Sequence, residues 1–163
     1  MARSSAANEH FPAVSIRRAA VADAAEIARL SEQFGHPVAI AELPARIAKL
    51  DEMPSQHLVV AAVSGGKLLG WIQVEHRLVL AAGERAEIVG LVVDAAARRR
   101  GVGTLLANAA QQWARAAKLE QIVVRSNVVR DASHVFYLAL GYERAKTQHI
   151  YVKSLLDPRT GGR

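Results

Sequence analysis

The residues best suited to chemistry form a basic turn that contains two glycines, Arg98-Arg99-Arg100-Gly101-Val102-Gly103-Thr104. The glycines allow a ligand to approach the backbone N–H groups closely. The arginines beside them supply positive charge and the paired donors that bind a pyrophosphate. The turn matches neither the Walker A loop nor the dinucleotide pattern G-x-G-x-x-G. We therefore interpret it as an anion site for a phosphorylated ligand, with a solvated run of surface charge as the alternative.

The elements that flank this turn would place it at the start of a helix. Ala86–Val93 is apolar and rich in β-branched residues, which predicts a buried strand, and Gly90 within it indicates a bulge or the close approach of a ligand. Gly103–Ala117 has apolar residues at helical spacing and predicts an amphipathic helix. The unpaired N–H groups and partial positive charge at the start of that helix would strengthen the anion site.

Hydrophobic spacing and turn signals predict the element order β-α-α-β-β-β-α-β-α-β-β. This order is typical of an α/β domain with a mixed sheet. The first helix would be capped by Asp23 and end at Gly35, Pro44 would lie in the first turn of the second helix, and Asp131–Leu140 would form the last. The predicted strands are Val14–Arg18, Leu58–Val63, Lys67–Arg77, Ala86–Val93, Gln121–Arg125, Glu143–Lys146 and His149–Lys153.

Length and composition indicate a single domain over residues 1–163. The chain is 51% hydrophobic and 22% charged, as is usual for a globular protein, and residues 1–12 and 157–163 are expected to be loose ends. No apolar run approaches the ~20 residues that a membrane span requires. Met1–Glu9 is polar and has no apolar segment of the kind found in signal peptides, so we expect a cytoplasmic protein without a membrane partner.

Cysteine content and charge narrow the chemistry further. The chain has no cysteine, which excludes disulfides, thiolate metal sites and a cysteine nucleophile. The histidines lack the spacing of metal ligands, so no metal is predicted. A net charge of +6 suits either nucleic acid or a multiply phosphorylated cofactor. Because the basic residues gather beside Gly101, the cofactor is favoured.

Two motifs at this separation resemble the GNAT superfamily of acetyl-CoA-dependent N-acetyltransferases. The first is Arg98-x-x-Gly101-x-Gly103, and the second is Ser126–Tyr142, which contains Phe136-Tyr137-x-x-x-Gly141-Tyr142. The residues of the second motif resemble those of the aminoglycoside-acetyltransferase-like branch of the superfamily, a likeness that does not identify the substrate. The resemblance implies a splayed, mixed and mostly antiparallel sheet of about six to seven strands with about four flanking helices. Acetyl-CoA would lie between two parting strands as the co-substrate.

The resemblance also implies which residues contact acetyl-CoA. The backbone of Leu91, Val92 and Val93 would bind the pantetheine arm as an added strand does, and an N–H near Leu91 would hold the oxyanion. The Arg98–Thr104 turn would bind the pyrophosphate. Asn127, Arg130 and Tyr137 would contribute from the second motif, although Arg130 stands where the family often has asparagine.

A catalytic base is useful because an alkyl amine with a pKa of about 10.4 is almost entirely protonated at neutral pH. Glu87 is our candidate, since it begins the strand before the turn at a spacing found in histone-acetylating members of the superfamily. The alternative is a strand-edge glutamate that faces solvent. Glu75 and His76 on the neighbouring strand are further candidates, and Glu75 would otherwise contact the acceptor.

Tyr137 fits the role of an acid that protonates the departing thiolate. Ala132, Val135, Phe136 and Ala139 would form the buried stripe of its helix and leave the tyrosine free for a cleft, with simple packing as the alternative. Phe34 and Trp71 would wall the acceptor site. His134 is expected to cap or pack rather than to react.

The predicted function is acetyl transfer from acetyl-CoA to a primary amine by direct transfer in a ternary complex. The acceptor would be an aminoglycoside- or polyamine-like small molecule, with a protein lysine or N-terminus as the alternative. A non-catalytic acyl-CoA sensor of the same fold is a third hypothesis. A nucleic-acid binder ranks last, because the sequence lacks a recognition-helix motif and interleaved aromatic residues. A homodimer is compatible with the resemblance.

Overall fold

A computed structural model describes residues 12–155 of the chain. The ends expected to be loose lie outside the described residues, apart from Pro12. The described residues form two compact units, the first ending at Arg125 and the second beginning at Ser126. Within the described residues, no helix is long and apolar enough to cross a membrane.

The sheet of the first unit contains five strands: β1 (Ser15–Arg18), β2 (His57–Ser64), β3 (Lys67–Val79), β4 (Gly83–Val93) and β5 (Ile122–Val124). They lie side by side in the order β1-β2-β3-β4-β5. The pairs β1–β2, β2–β3 and β3–β4 are antiparallel, and β4–β5 is parallel. The prediction of a mixed and mostly antiparallel sheet is thereby confirmed.

The strand count is lower than the six to seven strands predicted. Neither Glu143–Lys146 nor His149–Lys153 forms a strand, and residues 143–155 have no regular structure. Their apolar alternation suggested strands, yet Ile150 and Tyr151 are exposed. A strand needs a neighbouring edge to satisfy its N–H and C=O groups, and the alternation of side chains does not supply that edge.

The described residues contain four α-helices: α1 (Ala24–Gln33), α2 (Leu43–Asp51) and α3 (Val102–Ala116) in the first unit, and α4 (Asp131–Ala139) in the second. Pro44 lies in the first turn of α2, and Gly35 follows α1 with φ +85°, both as predicted. Asp23 precedes α1, but its side chain does not cap the helix. It accepts instead from the Ala20 N–H and from Arg17.

The two faces of the sheet bury different helices. On one face α1 and α2 pack through a buried cluster that includes Leu30 and Ile47, and Trp71 of β3 packs against this cluster. On the other face α3 packs through Leu106, close to Gly70. Trp71 and Gly70 are neighbours in β3 and therefore lie on opposite faces. We call the surface that carries Trp71 the α1–α2 face.

A bulge interrupts the pairing of β3 with β4. Gln73 pairs with Gly90 and Val74 pairs with Ile88, so Val89 is the extra residue. This confirms the irregularity indicated by Gly90. The residue that approaches Gly90 closely is Trp71, whose ring carbon Cζ3 lies 2.7 Å from where a Cβ on this glycine would stand.

Candidate functional site

The basic turn lies between β4 and α3, as the sequence predicts. Gly101 has φ +79°, a left-handed conformation that costs glycine little, and it immediately precedes α3. The Leu105 N–H donates to the Gly101 carbonyl at 3.0 Å as the first bond of that helix. The N–H groups of Val102, Gly103 and Thr104 precede this bond and so have no carbonyl within the helix to accept them. They form a cluster of donors at a positive helix end, beside three exposed arginines.

Asp94 fixes the position of the turn through its hydrogen bonds. Its carboxylate is buried, with 4% of the side chain exposed, and accepts from the Ala96 N–H at 3.0 Å and from Arg29 of α1 at 3.0 Å. Its own N–H donates to the Leu69 carbonyl at 2.8 Å. Burial alone would raise the pKa of Asp94, but the Ala96 N–H and the Arg29 guanidinium outweigh it and lower the pKa.

Sequence reasoning missed Asp94. Aspartate at the end of a strand, two residues before an N–H that it can accept from, is a local turn signal that could have been used. The partnership with Arg29, 65 residues earlier, has no such local signal. Because Asp94 ties the turn to both β3 and α1, it fixes the position of the donor cluster.

Within the described residues, one edge of β4 has no strand partner where the pantetheine arm was predicted to lie. β5 pairs only with Ala86–Ile88, so from Val89 onward β4 and β5 are not paired. The segment that contains Leu91, Val92 and Val93 therefore has an open edge toward β5. Its backbone groups that point away from β3 can pair with an extended ligand, as those of an edge strand do.

Charged residues gather at the opposite end of β4. Glu87 pairs in register with Glu75, and Arg77 pairs with Arg85, so all four lie on one face of the sheet. The Glu87 side chain is only 5% exposed, and Arg125 Nε lies 3.0 Å from its Oε1. Arg85 Nη2 and Arg77 Nε approach its Oε2 at 3.5 and 3.8 Å. Glu87 is thus a buried carboxylate enclosed by guanidinium groups, not a strand-edge glutamate that faces solvent.

The other candidate bases differ from Glu87 in their surroundings. Glu75 is more open, with 28% of its side chain exposed and, within the described residues, an ion pair with Arg77 at 3.5 Å. His76 is the next residue of β3 and so lies on the opposite face, 3.6 Å from Glu84.

The aromatic residues predicted to wall the acceptor site come together on the α1–α2 face. Phe34 ends α1, and both Phe34 and Trp71 pack against the buried cluster of α1 and α2. The indole Nε1 of Trp71 is buried and has no hydrogen-bond partner among the described residues. It is a donor that a bound acceptor could satisfy.

The remaining predicted residues lie in the second unit. Asn127 forms a local turn: its Oδ1 accepts from the Val129 N–H at 3.1 Å, and its carbonyl accepts from the Arg130 N–H at 3.0 Å. His134 Nε2 lies 3.0 Å from the same carbonyl, a contact within this local turn. Arg130 immediately precedes α4.

Tyr137 is half-buried on α4, with its ring centroid 5.1 Å from that of Phe136 and 5.4 Å from that of Tyr142. Burial, with a smaller contribution from Tyr142, raises the pKa of Tyr137 to about 12. The predicted buried stripe is wrong, because Ala132, Val135 and Ala139 are exposed. Phe136 and Tyr137 are partly buried instead, since aromatic rings offer more apolar area than alanine.

No group of three or more His, Asp or Glu side chains within residues 12–155 has a metal-binding arrangement. The first unit combines three features: the donor cluster at the start of α3, the open edge of β4 and the charged residues at the other end of β4.

Comparison with known proteins places this arrangement in a family. The model of the acetyltransferase (GNAT) family matches residues 23–142. No curated protein sequence matches the chain. Among solved structures, glucosamine-6-phosphate N-acetyltransferase from Arabidopsis thaliana is 16% identical with a TM-score of 0.73, covering 87% of this chain and 99% of that one.

Two aminoglycoside acetyltransferases show the same fold. AAC(6')-Iy, solved with a bisubstrate analogue, is 20% identical with a TM-score of 0.75 and covers 87% of this chain and 99% of its own. AAC(6')-IG from Acinetobacter haemolyticus is 20% identical with a TM-score of 0.73 and covers 88% and 99%. These likenesses establish the shared fold at low identity.

Proposed function

Because the chain belongs to the acetyltransferase (GNAT) family, we propose that it transfers the acetyl group of acetyl-CoA to the primary amine of a small molecule. The observation that carries this proposal is the donor cluster at the start of α3, whose N–H groups have no acceptor within the helix, together with the edge of β4 that β5 does not pair. A phosphorylated ligand with an extended arm fits that sequence of features. AAC(6')-Iy, which has the same fold, has been solved with CoA.

The proposal gives each part of the first unit a task. The Arg98–Thr104 turn binds the pyrophosphate through its N–H groups and arginines. The backbone of Leu91, Val92 and Val93 pairs with the pantetheine arm, and an N–H near Leu91 polarises the acetyl carbonyl. Asn127 and Arg130 contribute further cofactor contacts by resemblance to the family.

Removal of a proton from the acceptor ammonium is assigned to Glu87, acting through water, with Glu75 as the alternative. Both lie on the same face of the sheet. The enclosure of Glu87 by guanidinium groups favours Glu75, since the oxygens of Glu87 already have partners. Glu87 is kept as the first candidate for the base because it lies on the strand that leads to the pyrophosphate turn, as the resemblance to the family implies.

Tyr137 is assigned as the donor to the departing thiolate. Its raised pKa keeps the phenol protonated at neutral pH, as a donor requires. Phe34 and Trp71 are assigned to the wall of the acceptor site. Because the chain contains no cysteine, transfer is proposed to be direct, within a ternary complex, and without an acetylated enzyme.

Calorimetry with acetyl-CoA, together with a panel of amines monitored by free-thiol release, tests this proposal. Gly103→Val should abolish binding, because a branched side chain would obstruct the donor cluster. Ala116→Val, at the exposed end of the same helix, is the matched control and should bind normally. Unchanged affinity in a folded Gly103→Val protein would contradict the cofactor site. Tight binding without turnover of any amine or peptide would indicate an acyl-CoA sensor.

A further inference from the structure

Three arginines surround the buried carboxylate of Glu87, and we call Arg77, Arg85 and Arg125 the arginine cluster. They come from β3, from β4 and from the residue that follows β5. Their nitrogen atoms lie 3.0 to 3.8 Å from the Glu87 oxygens. One buried carboxylate therefore draws together guanidinium groups from separate strands, which would otherwise repel one another.

The charge of the arginine cluster is only partly neutralised. In the part of the chain that the structure describes, the ion pairs of the cluster involve two carboxylates, those of Glu75 and Glu87, so its three guanidinium groups exceed their acidic partners by one positive charge. Within the described residues, Arg77 forms one hydrogen bond and Arg85 one, both at 3.5 Å. Each guanidinium carries five N–H donors, and the Nε of Arg85 is buried without a partner. Donors of this kind bind carboxylate and phosphate oxygens well.

The position of the arginine cluster follows from the strand register. Trp71, Glu75 and Arg77 are separated by even numbers of residues on β3, so the cluster lies on the α1–α2 face that carries Trp71. It stands at the end of β4 that is remote from the pyrophosphate turn. An arm that begins at the turn and follows the free edge of β4 runs toward Ile88, where β4 and β5 join. The acetyl end of the arm is thereby directed toward the cluster.

We propose that the amine acceptor carries a carboxylate or phosphate group and that the arginine cluster binds this group. The inference rests on the proposed acetyl transfer and narrows its acceptor. A polycationic amine would be repelled by the uncompensated positive charge, whereas an oxyanion would satisfy the open donors. In addition to the proton removal proposed for it, Glu87 then holds the guanidinium groups together.

Matched pairs of amines test the inference. Ethanolamine is compared with O-phosphoethanolamine, and 4-aminobutan-1-ol with 4-aminobutanoate, by free-thiol release at saturating acetyl-CoA. The acidic member of at least one pair should have a kcat/KM at least about tenfold higher, the scale of one charge-assisted hydrogen bond. The two pairs also distinguish a phosphate from a carboxylate preference.

Arginine variants connect this preference to the cluster. Arg125 is chosen because its side chain is 55% exposed and its replacement should leave the fold intact. Arg125→Gln should lower the acidic-to-neutral ratio of kcat/KM about tenfold, mainly through KM, and Arg125→Lys should restore part of it. Arg46→Gln removes an arginine that pairs with Glu42 on α2 and should leave the ratio unchanged.

The outcomes separate this inference from the function on which it rests. Equal kcat/KM for both members of each pair, or a ratio that Arg125→Gln does not alter, would overturn the inference while acetyl transfer stands. If no amine is acetylated, the proposed function fails. Calorimetry with O-phosphoethanolamine then tests whether the arginine cluster binds an anion. Equal binding by the wild type and Arg125→Gln would refute it, and binding lost only in Arg125→Gln would support an anion site.

Discussion

Replacement of Asp94 by alanine should weaken both the fold and acetyl-CoA binding, because this carboxylate supports the pyrophosphate turn from within. The change removes an acceptor for the Ala96 N–H, a loss of about 1 kcal/mol by analogy with helix caps. It also removes the charged partner of Arg29. A charge-assisted bond contributes about 1.5–3 kcal/mol, but the Arg29 side chain is 36% exposed and keeps Glu26. Solvent screening therefore reduces this second loss to about 1 kcal/mol.

The two losses together predict a decrease of about 2 kcal/mol in the free energy of unfolding. If the loosened turn must be re-formed when ligand binds, the same free energy is subtracted from binding. The Kd for acetyl-CoA should then rise by about tenfold to thirtyfold, at 1.4 kcal/mol per tenfold. Chemical denaturation measures the first quantity and calorimetry the second.

Asp23 provides a matched control for Asp94. It also accepts from a backbone N–H, that of Ala20, and from an arginine, Arg17, but it stands at the start of α1. Asp23→Ala should lower the free energy of unfolding by a similar amount and leave the acetyl-CoA Kd within about twofold, because it has no contact with the turn. If both variants weaken acetyl-CoA binding equally, or if neither does, Asp94 has no specific role in positioning the turn.

The pH dependence of this stabilisation has a defined sign. The pKa values of Asp94 and Asp23 are lowered in the folded protein, that of Asp23 chiefly by the hydrogen bond from Arg17. Both carboxylates therefore contribute stability that is present above their unfolded pKa of about 3.9. This contribution is lost as the pH falls through the folded pKa. The difference in stability between wild type and Asp94→Ala should accordingly shrink in acid.

Three further predictions concern catalysis and the acceptor wall. If Glu87 is the base, Glu87→Gln should lower kcat by about 10²–10⁴-fold on a high-pKa amine and much less on a low-pKa amine; the same pattern in Glu75→Gln alone would transfer the role to Glu75. Tyr137→Phe should lower kcat by about 10²-fold with an unchanged acetyl-CoA Kd. The kcat of the wild type should not fall near pH 10, where an ordinary tyrosine ionises, because the pKa of Tyr137 is about 12. A full kcat in the variant would contradict the role of Tyr137 as the acid. Gly90→Ala should displace the Trp71 ring, quench or shift its fluorescence and raise the acceptor KM without altering acetyl-CoA affinity; an unchanged KM would remove Trp71 from the acceptor wall.

The parts of the fold that could be predicted from the sequence are those decided by local chemistry. The residue before α3 adopts a left-handed conformation, and it is a glycine, Gly101. Because glycine adopts this conformation more readily than other residues, its place in the sequence predicts a tight turn. Pro44 is compatible with the first turn of a helix or with a break, and Gly35 is typical of a helix end. The parts that could not be predicted depend on distant partners. The pairing of Asp94 with Arg29 and the absence of a strand at His149–Lys153 both depend on what lies beside these segments in space.

The bulge at Val89 shows why the candidate site in particular required the structure. On the C-terminal side of the bulge, Gly90 pairs with Gln73 on the α1–α2 face. On its N-terminal side, Glu87 pairs with Glu75 on the same face. In a regular strand, Gly90 and Glu87 would lie on opposite faces, because they are separated by an odd number of residues. Glu87 and Arg85 would then share a face with His76, away from Arg77. The sequence indicated an irregularity at Gly90, but only the register reveals that one inserted residue turns Glu87 and Arg85 together toward Glu75 and Arg77. The inclusion of Arg77 in the arginine cluster, on which the inferred preference for an acidic acceptor depends, follows from that single insertion.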